Sequence, residues 1–361
     1  MSRPSRALID LDALQNNLGV ARALAPGRKV MAVVKANAYG HGTEMIGRAL
    51  DPFVDALAVA CLEEALTLRQ AGITSPVLLL EGLFEESEIQ AAAEHGLWLT
   101  IDNEAQVSWL EKPRLSTPVK CWLKIDTGMH RLGVQPENVA GMHQRLSACE
   151  NVSGDPVLCT HFASADDVSS GQTLQQLERF EQAIAGLPGS RSAANSAGVL
   201  AWPQAHYDWI RPGYMLYGNS PMSAPHNNTD SLKPVMTLGS RIISVRDIAV
   251  GETVGYGATW TAERPSRIAT VAVGYGDGYP RLARNGTPTL VNGQRAPLVG
   301  RVSMDMITID VTDLPAARQG DAVTLWGPEL PVDEIADCAG TIGYELTTRM
   351  PMRTPRVLTS G

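Results

Sequence analysis

No two cysteines in this chain form a C-x-x-C pair, and the five present (Cys61, Cys121, Cys149, Cys159 and Cys338) are scattered and odd in number. That pattern argues against a disulfide framework or a zinc site. Cys159 and His161 make a C-x-H pair, but no second ligand pair lies near it, so no metal is assigned. A basic cluster is missing too: 38 acidic against 30 basic residues leave a net charge of −8. Nucleic acid and anionic membrane surfaces therefore find no footing, although a few local arginines could hold a small anion. No apolar run is long enough to span a bilayer. The N-terminus, Met1-Ser2-Arg3-Pro4-Ser5-Arg6, leads into the amphipathic run Leu11 to Leu24 without the apolar core of a leader. The expected location is the cytoplasm. Internal repeats and low-complexity tracts are absent as well.

What is present is the composition of a soluble globular protein, 44% hydrophobic and 19% charged. A chain of 361 residues exceeds one ordinary core and points to two domains. Up to about residue 215, short apolar runs alternate with helix-like segments. The strand candidates are Lys29 to Lys35, Ala56 to Ala60, Pro76 to Leu80, Leu97 to Ile101, Pro118 to Ile125, Val157 to His161, Ser192 to Asn195 and Trp209 to Arg211. Helical stretches such as Glu63 to Gln70, Glu85 to Glu94, Glu104 to Leu110 and Thr173 to Ala185 fall between them. Eight strands alternating with helices predict a (β/α)8 TIM-like barrel, although an open doubly wound sheet shares the alternation. Past Ser220 to Asn228 the helical period fades. Short β-branched runs then alternate with glycine turns: Arg241 to Val245, Ile268 to Val273, Thr289 to Asn292, Met306 to Val311 and Asp321 to Leu325. Val332 to Ala339 and Ile342 to Met350 read as late helices. The expectation is an α/β barrel domain over 1–225 and a mainly-β C-terminal domain over 226–361.

Barrel chemistry gathers at the C-terminal ends of the strands. The residues that break the apolar runs fall there: Lys35, Lys124 with Asp126 and Arg131 beyond it, His161, Asn195-Ser196, and Arg211-Pro212-Gly213-Tyr214. In Ala32 to Gly42 (AVVKANAYGHG) a strand delivers an amine into a loop holding Asn37, Tyr39 and His41. Lys35 there is open to two readings. A buried amine loses its proton readily and forms a Schiff base with an aldehyde; a strand-end lysine also simply reaches into water. Asn195-Ser196-Ala197-Gly198, on the loop that favours phosphate in barrels, is equally open between an anion cradle and a helix cap on Ser196. An aldehyde-binding lysine, a phosphate cradle and a ring-facing arginine together describe pyridoxal phosphate. Gly274 to Tyr279 (GYGDGY) lacks the third glycine of a dinucleotide fingerprint and reads as a turn.

Over essentially its whole length the chain resembles the alanine racemases, pyridoxal-phosphate enzymes of fold type III. The matches run in family order: AVVKANAYGHG at 32–42, KIDTGMHRLG at 124–133, Thr160-His161-Phe162-Ala163, Asn195-Ser196-Ala197 and Ile210-Arg211-Pro212-Gly213. In the β-rich part they are Val254 to Trp260, Gly274 to Tyr279 and Gly300 to Asp305.

The resemblance implies roles as well. Lys35 would hold pyridoxal 5'-phosphate and act as one proton-transfer base, with Tyr256 of the partner subunit on the opposite face of Cα. His161 would pack under the ring and Arg211 would bond its nitrogen. Tyr39, Asn195, Ser196, Gly213, Tyr214 and Tyr344 would complete the cofactor pocket. Arg131 and Met304 of the partner subunit would contact the substrate, and Lys124 matches a position carbamylated in many relatives. Asp166, Tyr275, Arg281 and Arg301 would line the entry channel. The implied protein is a homodimer with shared sites that interconverts L- and D-alanine, either supplying D-alanine to the cell wall or consuming it. An amino-acid decarboxylase of the same fold, a non-catalytic pyridoxal-phosphate carrier and a nicotinamide enzyme are the competing readings. Arg211 and Gly255-Tyr256-Gly257 favour racemisation over the first, and the second domain is needless for the carrier. The third lacks a fingerprint.

Overall fold

Where apolar residues run without alternation a strand is covered on both faces, and eight such runs close into a barrel. In the computed structural model, which describes residues 3–112 and 115–359, the chain starts with strand β1 (Arg6–Ile9) and only then enters the barrel. Met1 and Ser2 of the segment read for a leader lie outside the described residues. The barrel strands are β2 (Lys29–Val33), β3 (Ala56–Val59), β4 (Val77–Leu79), β5 (Leu97–Ile101), β6 (Cys121–Lys124), β7 (Val157–Cys159), β8 (Arg191–Ser192) and β9 (Trp209–Ile210). Each pairs in parallel with the next, and β9 returns to β2 through Lys29↔Trp209, which settles the closed barrel against the open sheet. Met31, Ala56, Ala58, Leu78, Trp122, Val157 and Trp209 fill its interior. Trp122 and Trp209 meet edge-on at 5.5 Å, with Trp98 beside both, so indoles plug the lower barrel and leave its upper mouth open.

Helices pack outside this wall, among them Leu11–Leu24, Leu62–Gln70, Glu88–Glu94, Glu104–Glu111, Val139–Ala148 and Gln172–Ala183. Asp10 and Asn103 start two of them by accepting the amides of Ala13 and Gln106. Several strands end sooner than their apolar runs predict. Lys35, His161, Asn195 and Arg211 stand one to three residues beyond the last paired residue of their strands. The ladder stops where the chain turns its polar side chains into the mouth.

The C-terminal part is mainly β, as expected. Its strands are β10 (Met236–Ile248), β11 (Thr253–Val254), β12 (Trp260–Thr261), β13 (Ser266–Val271), β14 (Pro288–Val291), β15 (Gln294–Pro297), β16 (Ile307–Asp310), β17 (Ala322–Trp326) and β18 (Arg356–Leu358). The main sheet runs β15-β14-β17-β10-β1-β18, with β13 pairing β10 and β16. The first strand thus belongs to this sheet, antiparallel to β10 and parallel to β18. Helices Val332–Ala339 and Gly343–Thr348 bring the end of the chain back over the barrel mouth. Among the described residues no helix is long and apolar enough to cross a membrane.

Candidate active site

The site grows from an unusual piece of backbone. Directly after Lys35, four residues without a glycine among them, Ala36, Asn37, Ala38 and Tyr39, hold φ between 51° and 55°. Left-handed backbone costs an L-residue about 1–2 kcal/mol, so a run of four survives only where its surroundings hold it. The Ala36 carbonyl accepts the Gly40 amide, Asn37 Oδ1 takes the Thr43 amide, and Arg356 Nε donates to the Gly40 carbonyl. Tyr217 lies between the Tyr39 ring at 4.8 Å and the His41 ring at 4.5 Å, and its hydroxyl donates to the Val33 carbonyl. The turn directs Lys35 and Tyr39 to the barrel mouth.

There a cavity of about 1050 Å³ opens. Lys35, Tyr39, Lys124, Arg131, His161, Asp166, Asn195, Ser196, Arg211, Gly213, Tyr214 and Tyr344 all line it. Residues distant in sequence and singled out from it therefore converge on one space. Its ionisable lining sets Lys35, Lys124, Arg131 and Arg211 beside Glu81, Asp166 and Glu345. Burial pushes the Lys35 ammonium below the usual lysine range; Glu81 opposes the shift, Arg131 adds to it and Glu64 opposes it. Burial also lowers Lys124, where Cys159 and Asp102 oppose and Arg211 and Arg131 reinforce.

Arg211 is buried, and its two terminal nitrogens bond the barrel wall. It donates to Ser192 Oγ at 2.5 Å and to the carbonyls of Thr160 at 2.7 Å and Ala193 at 3.3 Å, and lies 3.5 Å from His161 Nδ1. Burial and then the Arg211 charge drive His161 far below the ordinary histidine value, so the ring is neutral at physiological pH. Beside it, Asp126 Oδ1 accepts the amides of Gly128 and His130, and Oδ2 meets His130 Nδ1 at 3.0 Å. Burial would raise this carboxyl, but those bonds hold it below its usual range. They shape the loop that presents Arg131.

Ser196 is not the helix cap: Asn195 caps helix Ser196–Ala201 by accepting the Gly198 amide at 2.9 Å. Ser196 Oγ instead accepts the amides of Gly213 at 2.9 Å and Met215 at 3.3 Å. A Cβ on Gly213 would sit 2.6 Å from Tyr39 Oη, so the glycine clears space for that hydroxyl. Tyr214 gives its hydroxyl to Asp333 at 3.0 Å and stacks on Tyr344 at 3.5 Å. Burial raises the Tyr39 phenol to about 12 and pushes those of Tyr214 and Tyr344 up as well, so all three are neutral hydroxyls at physiological pH.

The other candidates stand apart from this cavity in their own chain. Tyr256, Tyr275 and Met304 are exposed on the β-rich part, Tyr256 to 71%. Arg281 and Arg301 line a separate shallow concavity with Thr259 and Arg284. Sequence reasoning passed over Glu81, whose carboxylate faces the cavity from just beyond β4, and Glu64, which bonds the turn after Lys35.

A closed parallel barrel whose mouth gathers a lysine, a neutral histidine, a buried arginine and several hydroxyls has the layout of a barrel enzyme's active site. Models of the alanine racemase N-terminal and C-terminal domains match residues 9–221 and 235–358. A catabolic alanine racemase of Pseudomonas putida is 51% identical over 98% of both chains, and a biosynthetic one of Escherichia coli is 50% identical over 96% of both. Among solved structures, the biosynthetic alanine racemase of Pseudomonas aeruginosa superposes with a TM-score of 0.95 at 49% identity, covering 99% of this chain and 100% of its own. The alanine racemase of Bacillus anthracis, solved with bound L-Ala-P, has a TM-score of 0.87 at 32% identity, covering 100% of this chain and 96% of its own. The chain belongs to the alanine racemase family of enzymes.

Proposed function

We propose that the protein interconverts L- and D-alanine with pyridoxal 5'-phosphate held at Lys35, as a cytoplasmic homodimer whose two sites are shared. The observation that carries the reading is the meeting of Lys35, Tyr39, His161, Ser196, Arg131 and Arg211 around one cavity in a chain of this family. The residues fit that cofactor. Gly213 keeps clear the space beside the Tyr39 hydroxyl that a Cβ would fill, and the hydroxyls of Tyr39, Ser196 and Tyr344 beside it suit a phosphate. Ser196 and Tyr39, with Tyr344 and the backbone around Gly213 and Tyr214, would hold the phosphate, while Asn195 fixes the loop. Bound there, pyridoxal phosphate withdraws electrons from the substrate and acidifies its Cα proton.

The side chains divide the remaining work. A buried Lys35 amine, shifted toward its neutral form, takes or returns the proton on one face of Cα. Tyr256 of the partner subunit serves the opposite face, a role its exposure on the β-rich domain supports. Arg131 holds the substrate carboxylate, assisted by the backbone N–H of Met304 of the partner subunit. A neutral Lys124 amine is competent to be carbamylated and would then orient Arg131. Neutral His161 would pack against the ring, and Arg211 would stay protonated while bonding the ring nitrogen, an arrangement that would weaken the electron sink and curb transamination. Asp166, with Tyr275, Arg281 and Arg301 of the partner subunit, lines the approach.

All five cysteines are free, as suits a reducing compartment. The catabolic relative stands at 51% identity and the biosynthetic one at 50%, and both directions use the same chemistry. Borohydride reduction followed by peptide mapping tests the reading: the pyridoxyl group should appear on Lys35. Alanine in deuterated water should exchange its Cα hydrogen as its chirality is lost. A tag on another residue, or no tag, overturns the proposal.

A further inference from the structure

The left-handed turn leaves first amides that it cannot satisfy itself, that of Ala36 among them. Like the first amides of any helical turn, the N–H of Ala36 has no carbonyl within the turn to receive it. Glu64 Oε1 accepts it at 2.7 Å. The other oxygen of the same carboxylate, Oε2, accepts the amide of Ala60 at 2.8 Å. Ala60 directly follows β3, and Ala36 lies just beyond β2, its neighbour in the barrel. One carboxylate therefore bridges the open ends of two adjacent strands, bonding the residue that follows Lys35. Glu64 stands in the first turn of helix Leu62–Gln70, so its own backbone is fixed. Charged acceptors make the stronger hydrogen bonds, and two on one rigid group restrain direction as well as distance.

We infer that Glu64 is a positioning residue for Lys35: its carboxylate pins the Ala36 and Ala60 amides and holds the left-handed turn that aims Lys35 and Tyr39 into the cavity. The inference rests on Lys35 being the cofactor-binding amine. Glu81 supplies the internal comparison, since it also places a carboxylate near Lys35 but from the cavity wall, without bonding the turn.

Hydrogen-exchange mass spectrometry on the purified holoenzyme tests it, with Glu64→Ala, Glu64→Gln and Glu81→Gln compared with the native protein. Glu64→Ala should raise exchange at Ala36 and Ala60 while helix Glu104–Glu111 stays protected. It should also speed cofactor release about tenfold or more, as expected for the loss of a charged hydrogen bond. Glu64→Gln keeps one acceptor oxygen and should fall between native and Ala. Glu81→Gln should leave exchange across 36–42 unchanged, which separates the clamp from the mere presence of negative charge. Should Glu64→Ala fail to fold, Glu64→Gln carries the comparison. Native exchange and native cofactor release in a folded Glu64 variant would overturn the inference, and so would a uniform loss of protection over the whole barrel. If the native protein takes up no pyridoxal phosphate at Lys35, the earlier functional reading fails, while the exchange data still judge the clamp.

Discussion

His41 is wholly buried, and the pattern of its two ring nitrogens fixes its charge. Nδ1 faces the carbonyls of Tyr39 at 2.9 Å and Ala38 at 3.1 Å, so it carries the proton, while Nε2 has no partner. A second proton on Nε2 would bury an N–H without an acceptor. Burial accordingly lowers this histidine from 6.5 to about 4. Its folded value lies below its unfolded one, so the unfolded chain binds the extra proton first and stability is lost as pH falls through that window. Thermal midpoints should therefore drop between pH 6.5 and about 4 more steeply in the native protein than in His41→Asn. Parallel slopes in the two proteins would remove His41 from the account. At this scale Lys35, His161 and Arg211 were legible because each interrupts an apolar run at a strand end. Glu64 was not, since a glutamate beside Glu63 in a first helical turn looks like ordinary dipole complement.

Strands, helices and one turn set the geometry between these residues. The barrel was readable because strands covered on both faces leave unbroken apolar runs, and Leu11–Leu24 begins and ends where its amphipathic period does. Neither β1 nor the turn at 36–39 was. Four residues, Arg6–Ile9, carry too short a pattern, and the partners that make them a strand lie more than 200 positions away. Of the four only Asn37 is a residue that favours positive φ, and one asparagine among alanines and a tyrosine does not announce a left-handed run. Gly213 shows how closely that turn is packed, for a Cβ there would meet the Tyr39 hydroxyl at 2.6 Å. Gly213→Ala should displace the Tyr39 hydroxyl at an overpacking cost of about 1–3 kcal/mol. Equilibrium dialysis of pyridoxal phosphate against the apoprotein should show weaker retention, with a folded thermal transition. Native retention would mean that Tyr39 takes no part in holding the phosphate.

On the scale of the whole molecule, Lys35 stands at the barrel mouth and the second base candidate, Tyr256, on the β-rich part, away from the cavity of its own chain. Lys35→Ala and Tyr256→Phe, each inactive alone, should regain racemase activity when their subunits are exchanged, since each mixed dimer rebuilds one intact site. No recovery after verified exchange would count against sharing, and unimpaired Tyr256→Phe would remove that residue as a base. The position of β1 bears on how the chain is made. Residues 6–9 leave the ribosome early, yet their neighbours lie in 236–239 and 356–358. Synthesis order and pairing order are thus opposed: the opening strand waits, half-matched at best, until the final segment is released. Trimming the tail should therefore unfasten the beginning of the protein before it disturbs the middle.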